Sequence, residues 1–388
     1  MFKKGTPMCE IKPEIKKILF AAGGTGGHVF PAIAVADALR DIRPDLEIAF
    51  VGSSQGNEEE WVKNAGYRFI LLKTDFIKGA SFLKKCKNIA AMPGTAKRAK
   101  CLLLEERPDL VIGAGGYVSG PLVAVAARMP IATAILEQNA IPGLTNRILA
   151  HFVDRIFTSF RDTAGFSGPK VAYLGNPVRT QALVSSHDSA RHEPKRPNLL
   201  GASPADSPLH ILILGGSQGA MSLNTKLPKA FQSLTEEEQA HLIVRHQTGK
   251  GKLEATQKAY AEAGLTSETT EFIHDMGAAY QWADLLICRA GATTLAEIKA
   301  AGKASILVPF PQAAHNHQEK NADATVLQDA AWKVLDNEVI TRVPDVLRTC
   351  LTNPARLHAV AKAALADAHP QAAHDIAQYC LENDFSQK

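Results

Sequence analysis

The sequence has no apolar run long enough to cross a membrane. Its most apolar stretch, residues 118–136, is interrupted by Pro121, Arg128 and Pro130, and the apolar run of residues 18–22 ends at glycines. A spanning helix needs about 20 consecutive apolar residues. No apolar segment of signal-peptide length follows the lysine-rich N-terminus either. Any membrane contact is therefore expected to be peripheral.

Paired cysteines and a strong charge excess are also missing. The six cysteines are scattered and form no Cys-x-x-Cys motif, so neither a disulfide framework nor a zinc site is expected. The formal net charge is only +4 over 388 residues. Nucleic-acid-binding proteins usually show a larger or more clustered basic excess. The sequence predicts a reduced, cytoplasmic protein with no nucleic-acid partner.

Three nucleotide-site motifs are incomplete or absent. No Gly-x-Gly-x-x-Gly is complete, and no phosphate-binding Gly-x-x-x-x-Gly-Lys-Ser/Thr occurs. These gaps argue against nicotinamide-dependent enzymes and P-loop nucleotidases. An Asp-x-Asp pair for holding Mg²⁺ on a diphosphate is missing as well. We therefore expect no cofactor and no metal.

Short apolar runs that end in glycine and lead into helical patterns are abundant. Residues 18–22 run into Gly23–His28 and a helix with Pro31 in its first turn, and residues 210–214 run into a second glycine-rich loop. Continuous apolar segments alternating with helices are typical of buried parallel strands. Further strands are predicted at residues 46–51, 110–112, 131–136, 242–245, 285–288 and 305–308.

The repeated opening predicts an α/β protein with two similar domains. The first is expected at residues 1–178 and the second at residues 179–366, with a C-terminal helix at about 367–388 packing back on the first domain. Glycine between a strand and a helix lets backbone amides approach an anion, and the helix N-terminus favours negative charge. A diphosphate could be held in this way without a metal.

Several longer motifs occur in a fixed order along the chain. They are Gly23-Gly24-Thr25-Gly26-Gly27-His28, Gly115-Gly116-Tyr117-Val118-Ser119-Gly120-Pro121, Glu137-Gln138-Asn139, Gly175-Asn176-Pro177-Val178-Arg179, Gly215-Gly216-Ser217-Gln218-Gly219-Ala220, Phe272-Ile273-His274-Asp275-Met276, Arg289-Ala290-Gly291-Ala292-Thr293-Thr294-Leu295-Ala296-Glu297 and Gln318-Glu319-Lys320-Asn321-Ala322. In this set and order the sequence closely resembles the MurG family of bacterial N-acetylglucosaminyltransferases.

The resemblance implies a GT-B fold, in which two Rossmann-like domains with parallel sheets face each other across a cleft. It implies inverting, metal-independent transfer of N-acetylglucosamine from UDP-N-acetylglucosamine to the C4 hydroxyl of N-acetylmuramic acid in lipid I, which gives lipid II for peptidoglycan synthesis. The enzyme would lie peripherally on the cytoplasmic face of the inner membrane, near cell-wall and division proteins. A related transferase acting on diacylglycerol and a non-catalytic sugar-nucleotide-binding protein stay as alternatives.

In the first domain the resemblance implies catalytic roles for His28, Glu137 and Tyr117. Histidine has a suitable reference pKa for a general base that takes the acceptor proton. Binding of the acceptor diphosphate or helix capping is the competing interpretation of His28. Thr25, Gly26 and Gly27 are expected at the donor and, with His28, beside the acceptor diphosphate.

The other expected donor contacts lie mostly in the second domain. Glu297 would accept both ribose hydroxyls, Ile273 would offer backbone groups to uracil, and Gln318 would bind sugar hydroxyls. The remaining predicted donor residues are Asn139, Arg179, Ser217, Ala292, Thr293, Thr294, Leu295 and Ala296.

Residues 76–100 interleave apolar and basic side chains, among them Phe82, Leu83, Lys84, Lys85 and Lys87. Such a mixture suits an anionic membrane surface. A solvated basic face fits the pattern equally well.

Overall fold

The structure, a computed structural model, describes residues 14–53, 56–73, 82–178, 208–216, 219–313, 316–382 and 385. Its residues group into two compact units. Among the described residues, the first unit comprises those within 1–136, 144–156 and 374–388, and the second comprises those within 137–143 and 157–373. The expected boundary at residues 178 and 179 stays a prediction, because residues 179–207 lie outside the described part.

The first sheet has seven strands in the order β3-β2-β1-β4-β5-β6-β7. Its central pairings, β1 with β2, β1 with β4, β2 with β3 and β4 with β5, are parallel. The strands are β1 Lys17–Ala22, β2 Glu47–Gly52, β3 Arg68–Leu71, β4 Leu110–Gly115, β5 Ala132–Glu137, β6 Arg155–Thr158 and β7 Val171–Tyr173. The helices between them are α1 Gly26–Ile42, α2 Glu58–Asn64, α3 Phe82–Glu106, α4 Ser119–Ala126 and α5 Leu144–Leu149.

The second sheet has six strands in the order β10-β9-β8-β11-β12-β13, all paired in parallel. The strands are β8 Leu209–Leu214, β9 Leu242–Gln247, β10 Ser267–Thr270, β11 Leu285–Cys288, β12 Ala304–Leu307 and β13 Trp332–Lys333. The helices that follow β8 in the chain are α6 Met221–Gln232, α7 Glu236–Ala240, α8 Leu253–Glu262, α9 Met276–Trp282, α10 Ala292–Ala300, α11 His317–Val326, α12 Val339–Thr352, α13 Pro354–Ala366 and α14 Ala372–Glu382. Most of α14 belongs to the first unit.

Both faces of the second sheet are covered by apolar side chains. Along β8, Ile211 and Ile213 belong to one buried cluster, whereas Leu212 and Leu214 belong to another. A strand buried on both faces needs apolar residues at every position rather than at alternate ones. This explains why the strands could be found in the sequence as continuous apolar runs.

Each sheet has a point at which the strand order reverses. In the first sheet β1 lies between β2 and β4, and in the second β8 lies between β9 and β11. Chain segments that leave two such neighbouring strands diverge, which opens a crevice at their carboxyl ends where ligands bind in α/β proteins. The glycine-rich motifs after β1, β4, β8 and β11 therefore lie where the fold favours a ligand site.

The predicted pair of parallel α/β sheets is confirmed, and each predicted strand matches an observed strand to within a few residues. The prediction that Pro31 lies in the first turn of its helix is wrong, since α1 begins five residues earlier, at Gly26. The C-terminal region forms two helices, α13 and α14, which are separated by a break that contains Pro370. Among the described residues, no helix combines the length and the apolar character needed to span a bilayer.

Candidate active site

The loop after β1 places backbone amides and a histidine at the switch point of the first sheet. Thr25 caps α1 in an extended conformation, and the amides of His28 and Val29 both donate to its carbonyl oxygen. Gly116, which follows β4, has φ of +87°, and a Cβ there would lie 2.3 Å from the Gly23 carbonyl oxygen. The two glycine motifs therefore touch, and only glycine allows this approach.

The imidazole of His28 is oriented by the same loop. Its Nδ1 lies 3.2 Å from the Gly23 carbonyl oxygen, which can only accept a hydrogen bond. Nδ1 therefore carries the proton in the neutral ring, and Nε2 carries the lone pair. A Cβ on Gly115 would lie 2.6 Å from the His28 ring, so this glycine leaves the space that the ring occupies. The tautomer is the one that a general base acting through Nε2 requires.

Two further predicted catalytic residues differ in their surroundings. Tyr117 follows Gly116 and is 45% exposed, in a position open to solvent. Glu137, at the end of β5, is buried, and its carboxylate accepts hydrogen bonds from the backbone amides of Asn139 and Gly143. The structure thus gives Glu137 a role in shaping the loop of residues 137–143, and its catalytic role stays a prediction.

The N-terminus of α10 presents backbone amides beyond β11. Gly291 is the N-cap residue, and no side chain caps the helix. The first amides of a helix have no acceptor inside it, so those of Ala292, Thr293 and Thr294 can serve an anion. The Leu295 side chain is buried in the core, whereas Ala296 is half-buried.

The other described donor candidates are held by specific hydrogen bonds. Glu297 is only 6% exposed, and its Oε2 accepts the Tyr280 hydroxyl at 2.9 Å. The Gln318 Oε1 accepts the Phe310 amide at 3.0 Å, which fixes the side-chain Nε2 as the available donor. Ile273 lies in the loop between β10 and α9. Arg179 and Ser217 fall outside the described residues.

Comparison with known proteins identifies the family. Residues 18–158 match the glycosyltransferase family 28 N-terminal domain, and residues 210–376 match the glycosyltransferase family 28 C-terminal domain. The chain belongs to glycosyltransferase family 28.

Full-length relatives agree with this assignment. A UDP-N-acetylglucosamine--N-acetylmuramyl-(pentapeptide) pyrophosphoryl-undecaprenol N-acetylglucosamine transferase from Anaeromyxobacter sp. (strain Fw109-5) is 42% identical over 94% of this chain and 93% of the relative. Its namesake from Geobacter sulfurreducens is 39% identical over 93% of this chain and 96% of the relative. The crystal structure of Acinetobacter baumannii MurG has a TM-score of 0.75 at 32% identity and covers 94% of this chain and 98% of its own. The resemblance seen in the motifs is confirmed.

In this family 28 chain, Asn321 is a site residue to which the sequence analysis gave no role. It is fully buried on α11, its Oδ1 accepts the Ala140 amide at 2.9 Å, and its Nδ2 donates to Asn139 Oδ1 at 3.1 Å and to the Ala290 carbonyl oxygen at 3.2 Å. It therefore holds the predicted sugar-binding Asn139 against the segment that leads into α10. The only signal in the sequence was its place in the Gln318–Ala322 motif.

Arg289 begins a second network that the sequence analysis missed. Its guanidinium pairs with Asp336 at 2.8 Å and donates to the Ser222 hydroxyl at 2.7 Å. Burial raises the pKa of Asp336, but hydrogen bonds from Lys226, Ser222 and Arg289 outweigh burial and hold that pKa below its usual value. The network ties the segment after β11 to α6 and to residues beyond β13.

The end of β9 carries a third buried network. His246 Nδ1 lies 2.9 Å from the Tyr260 hydroxyl, and its Nε2 lies 3.1 Å from Asn224 Oδ1. Burial lowers the pKa of His246 to about 3, so the imidazole is neutral at physiological pH. Asn224 in turn donates to the Thr248 carbonyl oxygen at 2.9 Å. This network fixes the residues that follow β9.

Proposed function

We propose that the chain transfers N-acetylglucosamine from UDP-N-acetylglucosamine to the C4 hydroxyl of N-acetylmuramic acid in undecaprenyl-pyrophosphoryl-N-acetylmuramyl-pentapeptide, lipid I, with inversion and without a metal. The observation that carries the proposal is the match over nearly the whole chain to transferases named for this reaction. The orientation of His28 supports it, because a base with a defined tautomer stands beside a glycine-lined anion site.

The second unit supplies the groups that suit the donor. Glu297 accepts hydrogen bonds from the ribose hydroxyls, which a carboxylate can do because it only accepts. The amides of Ala292, Thr293 and Thr294 at the start of α10 stabilise the diphosphate, and most strongly when negative charge builds up on the leaving UDP. Gln318 offers its Nε2 to a sugar hydroxyl. Arg179 and Ser217 are proposed to complete this set.

The first unit supplies the base. The acceptor C4 oxygen forms a bond to C1 of the donor sugar while the bond from C1 to the UDP oxygen breaks. The hydroxyl proton passes to Nε2 of His28, and the electron pair of the broken bond leaves with UDP. Thr25, Gly26 and Gly27 hold the acceptor diphosphate through backbone amides, and Tyr117 contacts the acceptor from the neighbouring motif.

An acceptor panel tests the proposal. Labelled UDP-N-acetylglucosamine is incubated with lipid I, with diacylglycerol or with neither, and the lipid products are resolved by mass spectrometry. We expect label on lipid I alone. Label on diacylglycerol would establish the related lipid transferase instead, and tight UDP binding with no product from either lipid would establish a non-catalytic binding protein.

We also propose peripheral binding to an anionic membrane at the cytoplasmic face of the inner membrane, through the segment 76–100. A second surface of the first unit also supports membrane binding. Leu144, Ile148 and Phe152 follow at four-residue spacing and are 61%, 54% and 44% exposed. Arg128 lies over the Phe152 ring at 5.0 Å. Exposed apolar side chains beside basic groups suit a lipid surface.

Vesicle sedimentation tests the membrane proposal. Reversing Lys84, Lys85 and Lys87 to glutamate should reduce binding to anionic vesicles at least about tenfold, since each basic residue near such a surface contributes about 1 kcal/mol. Reversing the exposed Lys229, Lys258 and Lys362 of the second unit is the matched control. Equal binding by the two triple variants would contradict the proposal.

A further inference from the structure

Two loops proposed to hold the donor lie on either side of the end of β9. Gly215 and Gly216 of the glycine-rich motif follow β8, and the loop with Ile273 follows β10. β9 is the strand between β8 and β10 in the sheet, and Gln247 is its last residue. We infer that Gln247 is a positioning residue that sets the distance between the Ile273 loop, which is proposed to bind uracil, and the glycine-rich segment after β8. The inference rests on the proposed function.

The Gln247 carboxamide bridges the two loops directly. Its Nε2 donates to the Gly216 carbonyl oxygen at 3.2 Å, and its Oε1 accepts the Ile273 amide at 3.4 Å. The side chain is only 5% exposed. Each bond reaches a backbone atom in a segment with a different proposed contact to the nucleotide. The spacing of the two segments is therefore tied to one side chain.

An amide can make both contacts at once. The Gly216 carbonyl needs a donor and the Ile273 N–H needs an acceptor, and glutamine supplies one of each. Methionine has a similar length but supplies neither. Glutamate keeps the acceptor for Ile273 but would turn a carboxylate oxygen toward the Gly216 carbonyl. Gln247→Met thus removes both hydrogen bonds, whereas Gln247→Glu removes one and adds repulsion at the Gly216 carbonyl.

The residues around Gln247 hold it in place. The Thr248 amide donates to the Thr270 carbonyl oxygen at 2.8 Å, and the Thr248 carbonyl oxygen accepts from Asn224. A Cβ on Gly219 would lie 2.1 Å from that same oxygen, so the glycine-rich loop rests directly on the backbone after β9. Because these contacts hold the backbone next to Gln247, its side chain can fix the positions of both loops.

The matched control is Gln239. It is also partly buried in the second unit, and its Nε2 donates to the backbone carbonyl oxygens of Phe231 and Leu234 at 3.0 and 3.1 Å. Both contacts are remote in sequence from the donor loops. Gln239→Met therefore removes two part-buried hydrogen bonds from a side chain to the backbone without loosening either loop.

The experiment compares Gln247→Met, Gln247→Glu and Gln239→Met in steady-state kinetics, with UDP binding measured by calorimetry and melting temperature recorded for each. We expect Gln247→Met to raise the KM for UDP-N-acetylglucosamine and the Kd for UDP about three- to tenfold, the loss that one or two hydrogen bonds would cause. Gln247→Glu should raise both further. The KM for lipid I should stay within twofold, and Gln239→Met should lower the melting temperature with both KM values unchanged.

A purely structural role would give the Gln247 and Gln239 variants the same changes in KM, Kd and melting temperature. It could also raise the KM for UDP-N-acetylglucosamine and the KM for lipid I in parallel. Either result overturns the inference. The wild-type assay separates this from the proposed function. If the wild type binds UDP but does not modify lipid I, the proposed reaction fails, whereas Gln247 is still judged by the Kd for UDP. If the wild type binds no UDP, both fail.

Discussion

His28 lies with its Nδ1 3.2 Å from the Gly23 carbonyl oxygen, and this contact defines which nitrogen can take a proton. Because general-base help is typically worth about 10²- to 10⁴-fold, His28→Ala should lower kcat by at least about 10²-fold. The KM for UDP-N-acetylglucosamine should stay within threefold, because the donor groups lie in the other unit. Steady-state kinetics with both substrates measures the two effects.

His151 provides the control for that substitution. It also lies in the first unit, is exposed, and has its Nδ1 3.1 Å from the Arg147 carbonyl oxygen. His151→Ala should therefore leave kcat unchanged. Turnover by His28→Ala within a few-fold of the wild type would rule out the base assignment and leave His28 as a binding residue.

Substitution of Glu297 tests the proposed ribose contact in the second unit. A hydrogen bond to a charged group contributes about 1.5–3 kcal/mol, so Glu297→Ala should weaken UDP binding at least about tenfold. Tyr280→Phe, which removes only the hydroxyl that donates to Glu297 Oε2, should weaken it much less. Calorimetric titration with UDP checks both variants. An unchanged Kd in Glu297→Ala would show that the ribose binds elsewhere.

Some site residues could be read from the sequence and others could not. His28 and the start of α10 stand beside glycine-rich turns, which mark close backbone approach whatever the surrounding fold. Gln247 and Asn321 carry no such mark. Both are buried amides whose partners are separated from them by about 26 to 182 residues in sequence. Only the packed structure shows which backbone atoms they join.

Among the secondary-structure elements, the ends of helices were the hardest to predict. Gly26 and Gly27 have low helix propensity, so the sequence placed them in a loop, yet they form the first turn of α1. Packing of the buried α1 residues on the sheet outweighs that propensity. The C-terminal helix predicted at about residues 367–388 begins later, at Ala372. Pro370 lies in the break before it, where a proline cannot continue a helix.

The contact between the end of β4 and α1 gives a prediction at the element scale. A methyl group at Gly115 would meet the His28 ring, and φ of +113° adds backbone strain. Gly115→Ala should therefore lower kcat to near the value of His28→Ala. Because both changes disable the same imidazole, the double variant should be no slower than His28→Ala alone.

Gly143→Ala is the control for this series, since a Cβ there would meet nothing within 4 Å. It should retain activity. Kinetics of the four variants, with circular dichroism to check folding, measure the coupling. A double variant that is slower by the full product of the two single effects would show that Gly115 acts independently of His28.

At the scale of the whole chain, the two-sheet architecture was predictable because parallel strands buried on both faces leave a continuous apolar signature. The response of stability to acid was not predictable from the sequence, because it depends on which titratable groups are buried. His246 has a pKa of about 3 when folded and an ordinary value of 6.5. The unfolded chain therefore binds the proton more readily, and stability is present above pH 6.5 and lost as the pH falls from there toward 3.

The slope of that loss is about 1.4 kcal/mol per pH unit, or about 2–3 kcal/mol between pH 6.5 and 4.5. This window lies above that of Asp336, whose usual pKa is 3.8. Urea unfolding should show the loss in the wild type and in the exposed-site control His358→Gln, but a reduced loss in His246→Gln. The same slope in all three proteins would exclude His246 as its source.

We propose that backbone amides and His28 support the transfer of N-acetylglucosamine to lipid I without a divalent ion. The most direct measurement is the initial rate of lipid II formation from UDP-N-acetylglucosamine and lipid I by purified protein in excess EDTA, compared with the rate in Mg²⁺. We predict a product of inverted configuration at C1, formed at rates within about twofold of each other in the two conditions. Transfer that stops in EDTA and returns with a divalent ion, or no transfer to lipid I at all, would contradict it.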